Sequence, residues 1–429
     1  MIFSFLYRYL IYPALLSIFR LLALFNPKIK TALELRQNQN SKPPWLLTSL
    51  SQRPVWIHCA SGEFEYAKPV INAIKLKYPQ IKILITYFSP SVVESLEKYK
   101  NIDFFCPLPW DQPHALKEFL NHQSTRALLI ARTDAWPEML TQTKLLKIPS
   151  LMFSSTLSPS SSRMSWVARS FTAWTLGNLS EIQCVSQDDF TCFKQLGLGH
   201  LTKVCGDTRY DQVIERLKHP KPIKDFLFRH APNEKIFVAG STWPEDEEVL
   251  LDIIAFSFRK KLKMKFVLVP HEPTSQHMSE LKQKASAKGL EIEFYSELNQ
   301  WSANKILVVD QVGILAEIYA YASLAFVGGS FRKTVHSVME PLAAGCLTFV
   351  GPKHLNNREA LFMKKISLKS FSDLSPVIEV KKLKDFQNYV QDLDDREFSS
   401  VSLEIKNLIS QRAGEATEKV MQWLSPYLD

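Results

Sequence analysis

Residues 55–77 read VWIHCASGEFEYAKPVINAIKLK. The apolar run Val55–Cys59 stops at Ala60-Ser61-Gly62, and beyond Glu63 the apolar residues recur at helical spacing through Phe64–Lys77. A buried strand that turns straight into a helix is the opening half of a βαβ unit, and such units stack into parallel sheets. The turn itself is informative. The chain has 13 glycines in 429 residues, less than half the usual share of roughly 7%. Gly62 is the one glycine before position 177. A strand-to-helix turn with Ser and Gly aims backbone N–H groups and a helix N-terminus at whatever binds above the strand. Glu63, at that turn, reads either as a first-turn acid matched to the helix dipole or as a base facing a ligand. Glu65 reads as a solvated helix acid.

The same alternation extends in both directions. Strands are expected at Val55–Cys59, Ile81–Phe88, Ile102–Cys106, Ala127–Ala131, Ser150–Ser154 and Ile182–Val185, with helical runs such as His114–Asn121 and Pro137–Lys144 between them. The charged, Pro-containing stretch ERLKHPKP (Glu215–Pro222) reads as a linker. Strands then resume at Lys235–Gly240, Lys265–Pro270, Lys305–Val309, Leu324–Val327 and Leu347–Val350. The fold class is therefore α/β, with two Rossmann-like parallel sheets. We expect a front helix within 1–30, a first domain over 45–215, a second over 216–400, and a C-terminal helix over 401–429 that packs back on the first domain. Ser399–Leu424 reads as one long helix.

Hydrophobic residues are 46% and charged residues 22% of the chain, which excludes a disordered or collagen-like protein. A mean hydropathy of −0.09 excludes a polytopic membrane protein. The net charge of +9 is concentrated at the front: residues 1–44 carry Arg8, Arg20, Lys28, Lys30, Arg36 and Lys42 against Glu34, a net +5. Between those cations lies MIFSFLYRYLIYPALLSIFRLLALF, whose longest charge-free run, Tyr9–Phe19, contains Pro13. A span needs about 20 apolar residues, so an apolar segment studded with Arg reads first as a helix lying on an anionic membrane surface, with a single span in which Arg20 snorkels, or a core helix, as the alternatives. No aromatic-basic stripe or finger spacing supports nucleic-acid binding. The six cysteines form no CxxC pair or Cys/His cluster and read as buried thiols.

In the second half, five segments stand at strand ends: GSTWPEDEE (Gly240–Glu248), VPHEP (Val269–Pro273), DQVGIL (Asp310–Leu315), FVGGSFRK (Phe326–Lys333) and HSVMEP (His336–Pro341), followed by VGPKHLNNREA (Val350–Ala360). The acids Glu245–Glu248 read as dipole-matched first-turn residues. The Gly328-Gly329 turn is where a phosphate could meet bare backbone. No GxGxxG or P-loop is present, so dinucleotide and NTPase readings lose support. Asp392-Leu393-Asp394 spells DxD but lies away from the strand ends.

These segments, together with RTDAWPEML (Arg132–Leu140) and CGDTRYDQV (Cys205–Val213), resemble the 3-deoxy-D-manno-octulosonic acid (Kdo) transferases, glycosyltransferase family 30. In this chain Ser61-Gly62-Glu63 is contiguous, where members usually carry one more residue. The resemblance implies a two-domain GT-B fold facing an interdomain cleft, a membrane-proximal front helix, and inverting transfer of Kdo from CMP-Kdo to a lipid A precursor. It implies a place at the cytoplasmic face of the inner membrane, and no cofactor, metal or nucleic acid. Glu63 is carried over as the catalytic base, with Ser61, Gly62, Thr133 and Asp134 on the acceptor side. The donor side is Arg209, Ser241, Thr242, His271, Gly313, Gly328, Gly329, Ser330, His336 and Glu340, with Arg332 and Lys353 as further cations. Within this set Glu340 is to accept from the ribose and Gly313 to let backbone approach the base. Competing readings are another GT-B sugar-nucleotide enzyme, such as a different lipopolysaccharide glycosyltransferase or an epimerase, and a non-catalytic membrane-bound relative.

Overall fold

The computed structural model describes residues 2–37, 53–228, 234–302, 304–394 and 396–428. They divide into two units, Met1–Gln212 with Arg412–Asp429, and Val213–Gln411.

The first unit is built on β1 (Val55–Cys59), β2 (Ile83–Tyr87), β3 (Phe104–Pro107), β4 (Ala127–Ala131), β5 (Ser150–Ser155), β6 (Glu181–Cys184) and β7 (Thr202–Val204). They form one seven-stranded sheet in the order β3-β2-β1-β4-β5-β6-β7. Every pairing is parallel. The central strands VWIHC, ILITY and ALLIA are buried at every position because helices cover both faces of a parallel sheet. Alternation along β1 sends Trp56 into a layer with Phe119, Leu140 and Phe193. It sends Ile57 and Cys59 into the opposite layer with Ala67, Ile71 and Val420.

The C-terminal stretch is two helices rather than one, Ser399–Ser410 and Glu415–Leu424. Gly414 has φ +93°, a conformation costly for any residue with a Cβ. The Asp211 carboxylate accepts from the N–H groups of Gly414 and Thr417, capping the second helix from a distant part of the same unit. Val420 and Leu424 then complete the layer over β1.

The front of the chain is a continuous helix, Ile2–Ala23, long and apolar enough to cross a membrane by length and composition. Tyr7–Ile11 forms a π-turn one turn ahead of Pro13, which has no N–H to offer an α-helical ladder. Tyr7 and Tyr12 are buried, while Ile2, Phe5, Leu10, Leu15, Ile18 and Leu21 are exposed. The buried side is held by polar bonds: Tyr7 donates its hydroxyl to Asp111 Oδ2 (2.6 Å), and Arg8 donates two bonds to Glu138 (2.8 and 2.7 Å).

The second unit carries β8 (Lys235–Thr242), β9 (Met264–Pro270), β10 (Ile292–Phe294), β11 (Ile306–Val308), β12 (Leu324–Val327), β13 (Leu347–Val350) and β14 (Val377–Glu379). Its seven-stranded order is β10-β11-β9-β8-β12-β13-β14, again parallel throughout. Phe237, Phe349 and Phe386 stack on one face. The front half of the expected linker is helical, since Thr208–Lys218 is one helix.

Both sheets are Rossmann-like. In each, strand order reverses at one seam, between β1 and β4 and between β8 and β12. Loops leaving the carboxyl ends of the strands at such a seam diverge and open a crevice for ligand.

Candidate active site

At the first seam, β1 runs into Ala60-Ser61-Gly62-Glu63 and β4 into Arg132-Thr133-Asp134. Glu63 stands at the N-cap position of the helix Phe64–Lys77, its side chain making no cap bond to that helix. Its Oε2 accepts from the Ser61 N–H at 2.8 Å. Oε1 has no hydrogen-bond partner among the described residues, and the side chain is half-exposed. The Ser61 and Ser91 hydroxyls are 2.8 Å apart. A Cβ placed on Gly62 would meet nothing within 4 Å, so the space above the turn is open. Glu65 is occupied instead: it accepts from Lys68 and, at 2.8 Å, from Gln212.

Asp134 sits at the end of a buried polar relay. Trp56 Nε1 donates to Thr86 Oγ1 (2.8 Å), and that hydroxyl is 2.9 Å from His58 Nδ1. His58 Nε2 is 3.0 Å from Asp134 Oδ2, which also accepts from Trp136 Nε1 at 3.2 Å. An ionised carboxylate only accepts, so His58 carries its proton on Nε2. Burial pushes the Asp134 carboxyl up, but the hydrogen bond and charge of His58, with Trp136 and Arg163, more than offset it. The net is a carboxyl below its ordinary range. His58 and Trp136 fall inside the quoted motifs, yet nothing in the sequence pairs them with Asp134. The relay exists because β1, β2 and β4 are neighbours in the sheet.

Thr133 lies in the same loop, its carbonyl accepting from the Ala135 N–H (2.9 Å). Arg132 has φ +68° and donates to the Tyr66 hydroxyl (3.1 Å). Arg209 lies 5.5 Å from the Tyr66 ring centroid. Expected with the donor residues, Arg209 is instead in the first unit, beside the helix that Glu63 opens.

At the second seam the structure gathers Ser241, Thr242, His271, Gly328, Gly329, Ser330 and His336. A Cβ on Gly328 would lie 2.1 Å from the Ser241 carbonyl oxygen, so glycine is required where the ends of β8 and β12 converge. The Gly-Gly turn is not bare backbone. Gly328 N–H donates to Gly240 O (2.9 Å). Gly329 and Phe331 N–H donate to Asp246 (2.7 and 3.0 Å), and so does Trp243 N–H (3.0 Å). Ser330 is fully buried and bonds Val327 O and Gly351 N. The expected phosphate cradle is thus filled by a protein carboxylate. Asp246 and Glu247 stand in the first turn of the helix Pro244–Arg259 as expected, but they do more than match its dipole. Asp246 is fully buried, and Glu247, also buried, accepts from Thr242 (2.9 Å) and pairs with His277 (2.9 Å).

The open face of this seam is aromatic and basic. The His271 and His336 rings stack at 4.4 Å, Trp243 Nε1 donates to His336 Nε2 (3.0 Å), and Arg332 lies 3.8 Å over the Trp243 ring. Burial, then the neighbouring His271, brings His336 down to about 4, so it is neutral near pH 7. Lys353 Nζ donates to Arg332 O (2.7 Å).

Gly313 and Glu340 form a separate group. Arg216 bonds Glu340 (3.0 Å) and Glu317 (3.5 Å), and Lys221 Nζ donates to Gly313 O (2.8 Å). Glu340, expected to face a ribose, is therefore ion-paired. Asp394 accepts from the N–H of Lys263, just ahead of β9, which puts the DxD stretch at the amino ends of the strands, opposite the seam.

Residues 29–212 match the family described as 3-deoxy-D-manno-octulosonic-acid transferase (kdotransferase). Similar proteins include the 3-deoxy-D-manno-octulosonic acid transferases of Aquifex aeolicus, 27% identical over 76% of this chain and 87% of theirs, and of Haemophilus influenzae, 23% identical over 97% and 96%. Among solved structures, the UDP-GlcNAc 2-epimerase of Neisseria meningitidis superposes with a TM-score of 0.60 at 14% identity, over 87% of this chain and 100% of that one. At that identity the likeness is one of fold alone. Sequence separates what fold does not: the family model and the relatives that this chain resembles in sequence are 3-deoxy-D-manno-octulosonic acid transferases, which are glycosyltransferases.

Proposed function

We propose that the protein transfers Kdo, in lipopolysaccharide synthesis, from CMP-Kdo to a hydroxyl of a lipid A precursor, with inversion at the sugar carbon. In this reading the first unit is the acceptor half and the second the donor half. The acceptor hydroxyl oxygen bonds to the anomeric carbon, the bond from that carbon to the CMP phosphate oxygen breaks, and the hydroxyl proton passes to Glu63. The observation that carries the reading is the state of Glu63: one oxygen tied to the Ser61 N–H, the other without a partner, above a turn with open space. A carboxylate so held is oriented and still able to take a proton. Asp134, kept ionised by His58, suits a sugar hydroxyl on the acceptor side.

On the donor side, the stacked His271, His336 and Trp243 with Arg332 above form a surface for a nucleotide and its phosphate. The Gly-Gly turn, held by Asp246, shapes that surface. Departure of a nucleoside monophosphate is assisted by side-chain cations and oriented N–H groups without routing any step through a metal. The front helix lies along the cytoplasmic face of the inner membrane with its exposed leucines in the lipid, because Tyr7 and Arg8 tie its other side to the folded unit.

The test is incubation of the full chain with CMP-Kdo and a tetraacylated lipid A precursor, reading product mass. One or more Kdo increments are expected, and Glu63→Gln is expected to lower the rate by about 10²–10⁴. An unmodified acceptor with the wild-type protein would refute the activity, and an undiminished variant would remove Glu63 from the base role.

A further inference from the structure

The front helix does more than cover the first unit; it forms one wall of a cavity of which the chemistry above uses Asp134 alone. This cavity, of about 500 Å³, lies between the helix and the segment following β5. That volume falls within the roughly 300–1,000 Å³ of small-molecule sites. Its lining combines the apolar Ile11, Leu15, Val167 and Phe171 with the charged Asp134 and Arg163. A second, apolar cavity of about 290 Å³ adjoins it, and Leu15 and Trp136 line both.

Arg163 is the unusual member. It is half-buried, and its guanidinium makes no hydrogen bond or ion pair with any described residue. Asp134 is close enough to act on it electrostatically, but burial is the stronger influence and draws its proton affinity down. A partly desolvated guanidinium with its donors unspent is costly unless an anion completes it. Asp134 makes no ion pair with it within 4 Å, and Asp134 Oδ2 is engaged by His58 and Trp136. The apolar lining is continuous with the exposed face of the front helix: Leu15 is 49% and Ile18, in the second cavity, 54% exposed. Val167, at 69%, and its neighbour Trp166, at 86%, extend that surface.

We propose that this cavity is the subsite for a phosphate group of the acylated acceptor, with Arg163 as the phosphate ligand and an acyl chain lying over Leu15 into the adjoining apolar cavity. The assignment rests on the transferase reading only for the identity of the ligand. The pairing of an unspent cation with an apolar lining open toward lipid calls for an anionic amphiphile in any case. Asp134 stands in the same cavity, so a phosphate held by Arg163 brings the sugar hydroxyls to the loops that carry Asp134 and, through β1, Glu63.

The experiment uses full-length protein in nonionic micelles with CMP-Kdo and two acceptors, the bisphosphorylated lipid and the same lipid after phosphatase treatment. KM and equilibrium binding of the radiolabelled lipid are read for wild type, Arg163→Gln and Arg163→Lys. The Arg163 guanidinium bonds no described residue, so the substitutions strand no hydrogen-bond partner among them. A charge-assisted contact of this kind predicts that dephosphorylation raises the wild-type acceptor KM on the order of 10- to 100-fold. Arg163→Gln starts at the raised value and is indifferent to dephosphorylation, Arg163→Lys recovers part of the discrimination, and KM for CMP-Kdo does not follow. Wild-type discrimination in Arg163→Gln overturns the proposal, as does equal competition by phosphatidylglycerol at the same mole fraction, which makes the cavity a general phospholipid site. Phosphate-dependent binding lost in Arg163→Gln but no transfer by wild type would keep the subsite and sink the transferase reading.

Discussion

Replacing Asp246 by Asn tests the claim that the Gly-Gly turn is shaped by a buried acid. Asp246 Oδ2 accepts from Trp243 and Gly329 N–H, and Oδ1 accepts from Phe331 N–H. An Asn oxygen in the Oδ2 position keeps two of these bonds as neutral ones, about half as strong as charge-assisted bonds. Its amide nitrogen then faces the Phe331 N–H, which loses its acceptor at roughly 1–3 kcal/mol. Against this, burial holds the Asp246 carboxyl above its ordinary range, so removing the charge returns part of the loss. The net is about 2–3 kcal/mol of local stability, or about 30- to 150-fold in opening at 1.4 kcal/mol per tenfold. Amide hydrogen exchange resolved at Gly329 and Phe331 reads this directly, with the β12 amides of Leu324–Val327 as the internal reference. Wild-type exchange at both positions in Asp246→Asn would refute the reasoning. Accelerated exchange along all of β12 would refute it too, since that would mean global rather than local loosening.

Three further outcomes are expected. CMP at 100 times its dissociation constant should protect the second unit from heat by about 2.7 kcal/mol, several degrees in midpoint, while UDP and ADP should not; equal protection by UDP would favour another sugar-nucleotide enzyme. Changing the exposed Leu10, Leu21 and Leu24 together to Gln should weaken flotation with anionic vesicles on the order of 100-fold at roughly 1 kcal/mol each, because these side chains are 59%, 59% and 75% exposed; undiminished flotation would place the membrane contact elsewhere. His277 is lowered by burial but raised more by its bonds to Glu247 and Glu272 O, for a net rise. A raised folded value means its contribution is complete below pH 6.5 and is lost as pH climbs through that value. His277→Gln should therefore flatten the decline in urea midpoint of the second unit above pH 6.5, and an unaltered slope would rule the pair out as its source.

Much of the fold was legible because parallel sheets write themselves into sequence. A strand covered on both faces must be apolar throughout, so VWIHC, ALLIA, LAFV and LTFV announce β1, β4, β12 and β13 without tertiary information. The unannounced strands are three-residue edge strands, TKV, IEF and VIE, whose partial exposure leaves no apolar run. The single C-terminal helix failed for a related reason. Its periodicity is continuous enough to read through, but the left-handed Gly414 and the Asp211 cap end one helix and start another.

The motif residues at the seams could be picked from the chain, since scarce glycines and polar residues at strand ends stand out against apolar surroundings. What each one touches could not. The same carboxylate chemistry suits a first-turn acid matched to the helix dipole and a buried acceptor of three N–H groups, and that Asp246 is both emerged only when β8 and β12 were brought together. Glu65 and Glu63 differ by two positions and one chemical feature, a free oxygen, which depends on Lys68 and Gln212 being in reach of one and not the other. His58 and Asp134 meet from positions 76 apart in the chain, and Arg163, from a later segment, lines one cavity with Asp134. Local chemistry set which residues were available for a site; only the pairing of distant strands, which no short-range preference encodes, decided which of them were already spent.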